Sequence, residues 1–92
     1  MPYIKRDRRP VFDKKLADLA VLIQSEGELN YCLSRLAGYT LQMETSSPGG
    51  SVVSYRDLNA IIGVFECAKT EFYRRVVIPY EEEKCAENGD VF

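Results

Sequence analysis

No histidine occurs among the 92 residues. Its absence removes the commonest general base, the commonest transition-metal ligand and every Ser-His or Cys-His nucleophile pair. Cysteine is sparse as well. Cys32, Cys67 and Cys85 are odd in number and far apart, which suits neither a disulfide framework nor a zinc site of paired ligands, so they read as free thiols. No apolar run approaches the roughly 20 residues that span a bilayer. Met1–Arg6 is followed by charge where a secretory signal would turn apolar. The chain is therefore expected to be cytoplasmic, without a membrane partner. Alternating strand patterns are missing apart from a weak trace at Ser51–Val53, and neither repeats nor low-complexity segments are visible. Gly49-Gly50 is a lone pair with no lysine after it, so phosphate-loop chemistry is not indicated. Glu81, Glu82 and Glu83 point in different directions on a helix, and Glu66 stands at neither i,i+3 nor i,i+4 from Glu71 or Asp57, so no convergent carboxylates suggest a magnesium enzyme. No catalytic residue, metal ligand or cofactor is expected, and the protein reads as non-enzymatic.

What is present is the composition of an ordinary globular domain, 46% hydrophobic and 28% charged. A chain this short forms one domain, residues 1–92, whose own core is modest, and stability shared between subunits of a homo-oligomer is expected. The net charge of −2 is unevenly spread. Lys5, Arg6, Arg8, Arg9, Lys14 and Lys15 crowd one end, and Glu81, Glu82, Glu83, Glu87 and Asp90 the other. Solvated faces with end-to-end pairing explain this plainly; an anion site at the basic end is the sharper reading. A net acidic chain argues against a broad nucleic-acid surface.

Hydrophobic periodicity predicts an all-α fold: a three-helix arrangement with a short helical hairpin and a long C-terminal helix kinked at Pro79. Residues 1–10 form an N-terminal arm in which Asp7 is placed to cap helix one. Phe12, Leu16, Leu19, Ala20 and Ile23 mark that helix over about 11–25, with Gly27 at its left-handed terminus. Leu29, Cys32, Leu33, Leu36 and Ala37 mark helix two over about 28–43, Glu28 suiting the positive end of its dipole. Residues 44–53, rich in Ser, Pro and Gly, read as a flexible linker. Ser54 with Asp57 three positions on is a variant capping box that opens helix three. Leu58, Ile61, Ile62, Phe65, Ala68, Phe72 and Val76 then give an apolar stripe that must pack against something. Pro79 predicts a kink or a stop, because its ring pushes on the carbonyl of Arg75 and supplies no N–H. Residues 88–92 form a tail.

Five blocks carry a resemblance: Met1–Ile4, Gly27–Tyr31, Asn59–Cys67, Glu71–Val77 and Glu87–Val91. In that order they resemble a family of small uncharacterised proteins, a domain of unknown function found in bacteria and in tailed phages or prophages. The resemblance implies a self-standing helical domain and a phage setting, in which small oligomeric helical proteins often bind host components or nucleotide signals.

On helix three, Asn59, Glu66 and Tyr73 recur at seven-residue steps beside the apolar stripe, close enough in angle to be partly buried, with Arg74 next to them. Arginine offers a fork of donors to phosphate, tyrosine a stacking face, and asparagine paired groups that read a base edge. Asn30, Tyr31 and Arg35 on helix two carry the same chemistry. These seven are the candidate ligand-binding residues. Equally, Glu66 and Arg74 suit an inter-helix ion-pair network and Asn59 a packing register. Three functions are consistent with these residues: an oligomeric protein sequestering a small anionic, nucleotide-like ligand between subunits; a module docking on a protein partner; and a nucleic-acid binder using the basic arm.

Overall fold

The computed structural model describes residues 2–45 and 53–92. It is all-α, with no strand among the described residues. The middle of the expected linker, residues 46–52, and the strand trace at Ser51 and Val52 lie outside the described residues; Glu44 and Thr45 end a helix instead of beginning the linker.

Two compact units divide the chain: Tyr3–Leu58, and Asn59–Phe92 together with Pro2. In the first, an extended arm leads into a 3-10 turn, Arg6–Arg8, and then α1, Arg9–Leu22. Proline suits the first turn of α1 because its fixed φ is helical and the N–H it lacks would have no partner there. Asp7 lies inside the 3-10 turn, and no side chain caps either that turn or α1, contrary to the sequence reading. Lys14 and Asp18 pair at 2.8 Å along the exposed face of α1. The helix stops where Ile23 turns extended, φ −77° and ψ 121°.

Gly27, expected from sequence as a left-handed helix end, is not one. It sits in the first turn of α2, Glu26–Thr45, and the only described glycine with positive φ is Gly89. The physical reason is a cap at Ser25. The Glu28 amide donates to Ser25 Oγ at 3.1 Å, while the Gln24 amide donates to Glu28 Oε1 at 2.8 Å. Two N–H groups without helical partners are thereby satisfied, and α2 begins earlier than glycine placement suggests.

The capping box at Ser54 is present in full. The Ser54 amide donates to Asp57 Oδ2 at 3.1 Å and the Asp57 amide to Ser54 Oγ at 3.2 Å. Next comes α3, Tyr55–Phe72. It does not stop before Pro79. The backbone passes through a π-helical turn, Tyr73–Val77, into α4, Ile78–Asn88, with helical dihedrals at Phe72, Val77 and Ile78. The Ile78 amide reaches back five residues to the Tyr73 carbonyl. Widening that turn draws the preceding carbonyls away from the pyrrolidine ring, so the clash predicted from sequence is absorbed inside one helical rod. α4 ends at Gly89, φ 90° and ψ 151°, whose amide donates to the Cys85 carbonyl at 2.9 Å. The tail closes with the Phe92 amide on Asp90 Oδ1 at 3.0 Å.

No described residue is buried. No helix among the described residues is long and apolar enough to cross a membrane.

Candidate functional site

Within the Tyr3–Leu58 unit, the end of α1 and the first half of α2 diverge from the Ile23–Ser25 connection and leave a groove between them. Its upper part, about 420 Å³, is lined by Leu19, Leu22, Ile23, Glu28, Tyr31 and Cys32 among others. A contiguous lower part, about 240 Å³, shares Leu19, Tyr31 and Cys32 and adds Arg35, Leu36 and Tyr39. Leu19, Cys32 and Leu36 supply apolar surface; Tyr31, Arg35 and Tyr39 supply chemistry.

Those three residues recur at steps of four, which places them on one face of α2. The Arg35 guanidinium lies 4.6 Å from the Tyr39 ring centroid and donates through Nη2 to the Tyr39 hydroxyl at 2.8 Å. That hydrogen bond, with the nearby Tyr39 and Tyr31 hydroxyls, raises the pKa of Arg35 above its already high ordinary value. Like any arginine it is cationic at physiological pH, and its guanidinium is hydrogen-bonded to its helical neighbour. Tyr31, 67% exposed, presents a ring at the junction of the two parts of the groove. Negative charge in the groove is limited to Glu28, whose carboxylate is already accepting from the Gln24 amide.

Of the residues expected from sequence on helix two, Tyr31 and Arg35 line this groove. Asn30 is not among the residues that line it, and its Oδ1 accepts from Ser34 Oγ at 3.5 Å. Tyr39 completes the cation-aromatic arrangement and is missing from the sequence-based set, although four-residue spacing from Arg35 signals it. The helix-three candidates belong to the other unit. Asn59, Glu66 and Tyr73 are exposed, not partly buried as expected, because that unit holds no second helix to pack against the rod. Glu66 pairs with Lys69 at 3.1 Å. Arg74, in the π-turn, takes both oxygens of Glu71 at 2.7 and 3.4 Å. Both of these pairs run along one helix.

Cys32 is half-buried, Cys67 and Cys85 are exposed, and all three are free thiols. No group of three or more Cys, Asp or Glu among the described residues is placed to hold a metal ion.

Fold and groove together define a small all-α protein with a cation-aromatic cleft between two helices. The chain belongs to the family described as a domain of unknown function (DUF6899), which matches residues 1–91. Neither the curated proteins nor the solved structures contain a match to it.

Proposed function

We propose that this is a non-enzymatic, homo-oligomeric binding protein of the cytoplasm, in a bacterial or phage setting, that sequesters a small anionic, nucleotide-like ligand in the α1–α2 groove. One observation carries the reading: Arg35, fixed over Tyr39 at 4.6 Å, stands one helical turn from the open ring of Tyr31. Its guanidinium keeps outward N–H groups for phosphate oxygens, and the Tyr31 face suits a base. Because Tyr39 already orders the arginine, binding loses little side-chain entropy. Function is by occupancy: the ligand is removed from solution, and no bond is made or broken.

Isothermal titration with mono-, di- and cyclic dinucleotides tests this, with inorganic phosphate as the charge-only control. The expected result is a nucleotide that binds at least tenfold more tightly than phosphate, with Arg35→Ala and Tyr31→Ala each weakening it tenfold or more. Absence of binding to any of these ligands at millimolar concentration overturns the reading. A second reading, docking on a host or phage protein, is favoured by a different observation, the exposed apolar stripe of α3.

A further inference from the structure

The rod formed by α3, the π-turn and α4 leaves a continuous apolar stripe uncovered within the Asn59–Phe92 unit. Phe65 is 37% exposed, Tyr80 59% and Phe72 63%, and Val76 and Ile62 are half-exposed or more. Aromatic side chains carry about 150–250 Å² each, so these three alone leave on the order of 300 Å² open. With Ile61, Ile62 and Val76 the stripe reaches the upper part of the about 300–600 Å² that the largest apolar patch of a monomer spans, a size that often marks a functional surface.

The occupant is written in the order of the side chains. Along the stripe, Ile61, Phe65, Ala68, Phe72 and Val76 read aliphatic, aromatic, small, aromatic, aliphatic, which is almost the same in both directions. A two-fold axis through Ala68 therefore sets Ile61 against Val76 and Phe65 against Phe72 of a second copy, with the smallest side chain where the backbones approach most closely. The π-turn supports this alignment. Each step of four overshoots a 3.6-residue turn by about 40°, so Ala68, Phe72, Val76 and Tyr80 would drift by about 120° on a regular helix. The wide turn at Tyr73–Val77 removes roughly half of that drift and holds Val76 and Tyr80 in line.

Charge selects the direction. A parallel pair would align Glu81, Glu82 and Glu83 with themselves, against only Lys84, which already pairs with Glu87 at 3.2 Å. Reversal separates the two acidic ends and lays each toward the N-terminal, electropositive end of the other α3. We infer that two copies of this chain pair antiparallel through the Ile61–Tyr80 stripe. The inference rests on the homo-oligomer reading above and not on the groove.

Sedimentation of the full chain, followed by spin-label distances, tests it. Cys32, Cys67 and Cys85 are replaced by serine and Glu81→Cys carries the label. A dimer whose labels stand about 39 Å apart along the axis is expected, from 1.5 Å per residue about the Ala68 axis. Labels within about 20 Å, the spacing of adjacent parallel helices plus label arms, overturn the antiparallel arrangement alone. A monomer at 100 µM overturns both this and the homo-oligomer reading, and leaves the groove reading standing. Phe72→Glu is expected to convert the dimer to monomer, whereas Thr70→Glu, on the far side of the rod, leaves it intact; the reverse pattern overturns the stripe as the interface.

Discussion

Ser54 and Asp57 exchange two hydrogen bonds at the start of α3, and each depends on the other. Removing the Ser54 hydroxyl is expected to cost about 1 kcal/mol, the usual worth of a serine N-cap. Far-UV circular dichroism in a denaturant series measures it; an unchanged midpoint for Ser54→Ala would show the cap to be idle. Asp57 adds a pH signature. The Ser54 amide first, and the Ser54 hydroxyl second, hold its carboxyl below the ordinary 3.8. A depressed folded-state pKa contributes stability that is fully present above the unfolded value and disappears as pH falls through the folded one. The acid limb below about pH 4 should therefore be shallower in Asp57→Asn than in the natural chain, and identical limbs would contradict the assignment. Sequence revealed this cap because the motif is local and complete in four residues. It revealed Tyr31 and Arg35 on chemical type, but Tyr39 only gains meaning once the guanidinium is seen lying over its ring. In the groove, Tyr39→Phe separates the two contacts: it keeps the stack and deletes the hydrogen bond at 2.8 Å. It is expected to weaken ligand binding less than Arg35→Ala does, as titration would read directly.

At the scale of elements, the helices were legible and two of their ends were not. Periodicity identifies an amphipathic helix because every turn repeats the test, whereas a helix end turns on one or two hydrogen bonds. At Ser25 the competing signals were a glycine and a serine with glutamate three residues on; the serine won, since a cap satisfies two amides and Gly27 tolerates a helical φ. At Pro79 the steric argument was sound but its outcome was not unique. A helix can break, bend or widen, and here it widens, with the Ile78 amide bonded to the Tyr73 carbonyl. Pro79→Ala restores a donor and removes the ring. The π-turn should then revert to regular α-helix, with a gain in helix stability of up to about 3 kcal/mol and a newly protected amide at position 79 in hydrogen exchange. Persistence of the same slow and fast amides over Tyr73–Val77 would mean that something other than the proline holds the turn open. The same substitution rotates Val76 and Tyr80 away from Phe65 and Phe72, so it should stabilise the rod while weakening its self-association. Opposite signs in one variant are hard to obtain unless the wide turn aligns the stripe.

For the whole chain, the decisive fact is that no described residue is buried, although nearly half the sequence is hydrophobic. Ordering a backbone costs about 1–2 kcal/mol per residue, and helical hydrogen bonds alone do not offset that in water. The apolar faces of these helices must contribute, and they contribute only when covered. Single-chain periodicity shows which side chains want cover and is silent about what supplies it, which is why the fold class was readable and the assembly was not. If a second copy supplies it, folding and association are one equilibrium, and the thermal midpoint must rise with protein concentration. Each tenfold increase then adds about 1.4 kcal/mol per dimer. Since about 1 kcal/mol moves the midpoint of a domain this size by 4–8 °C, scans at 2 and 200 µM should differ by several degrees. Phe72→Glu should remove that dependence together with much of the stability, and Thr70→Glu should keep both. A midpoint that holds still across the hundredfold range would mean that the stripe finds its cover within one chain, and the antiparallel pair would have to be abandoned even if some dimer were seen at crystallisation concentrations.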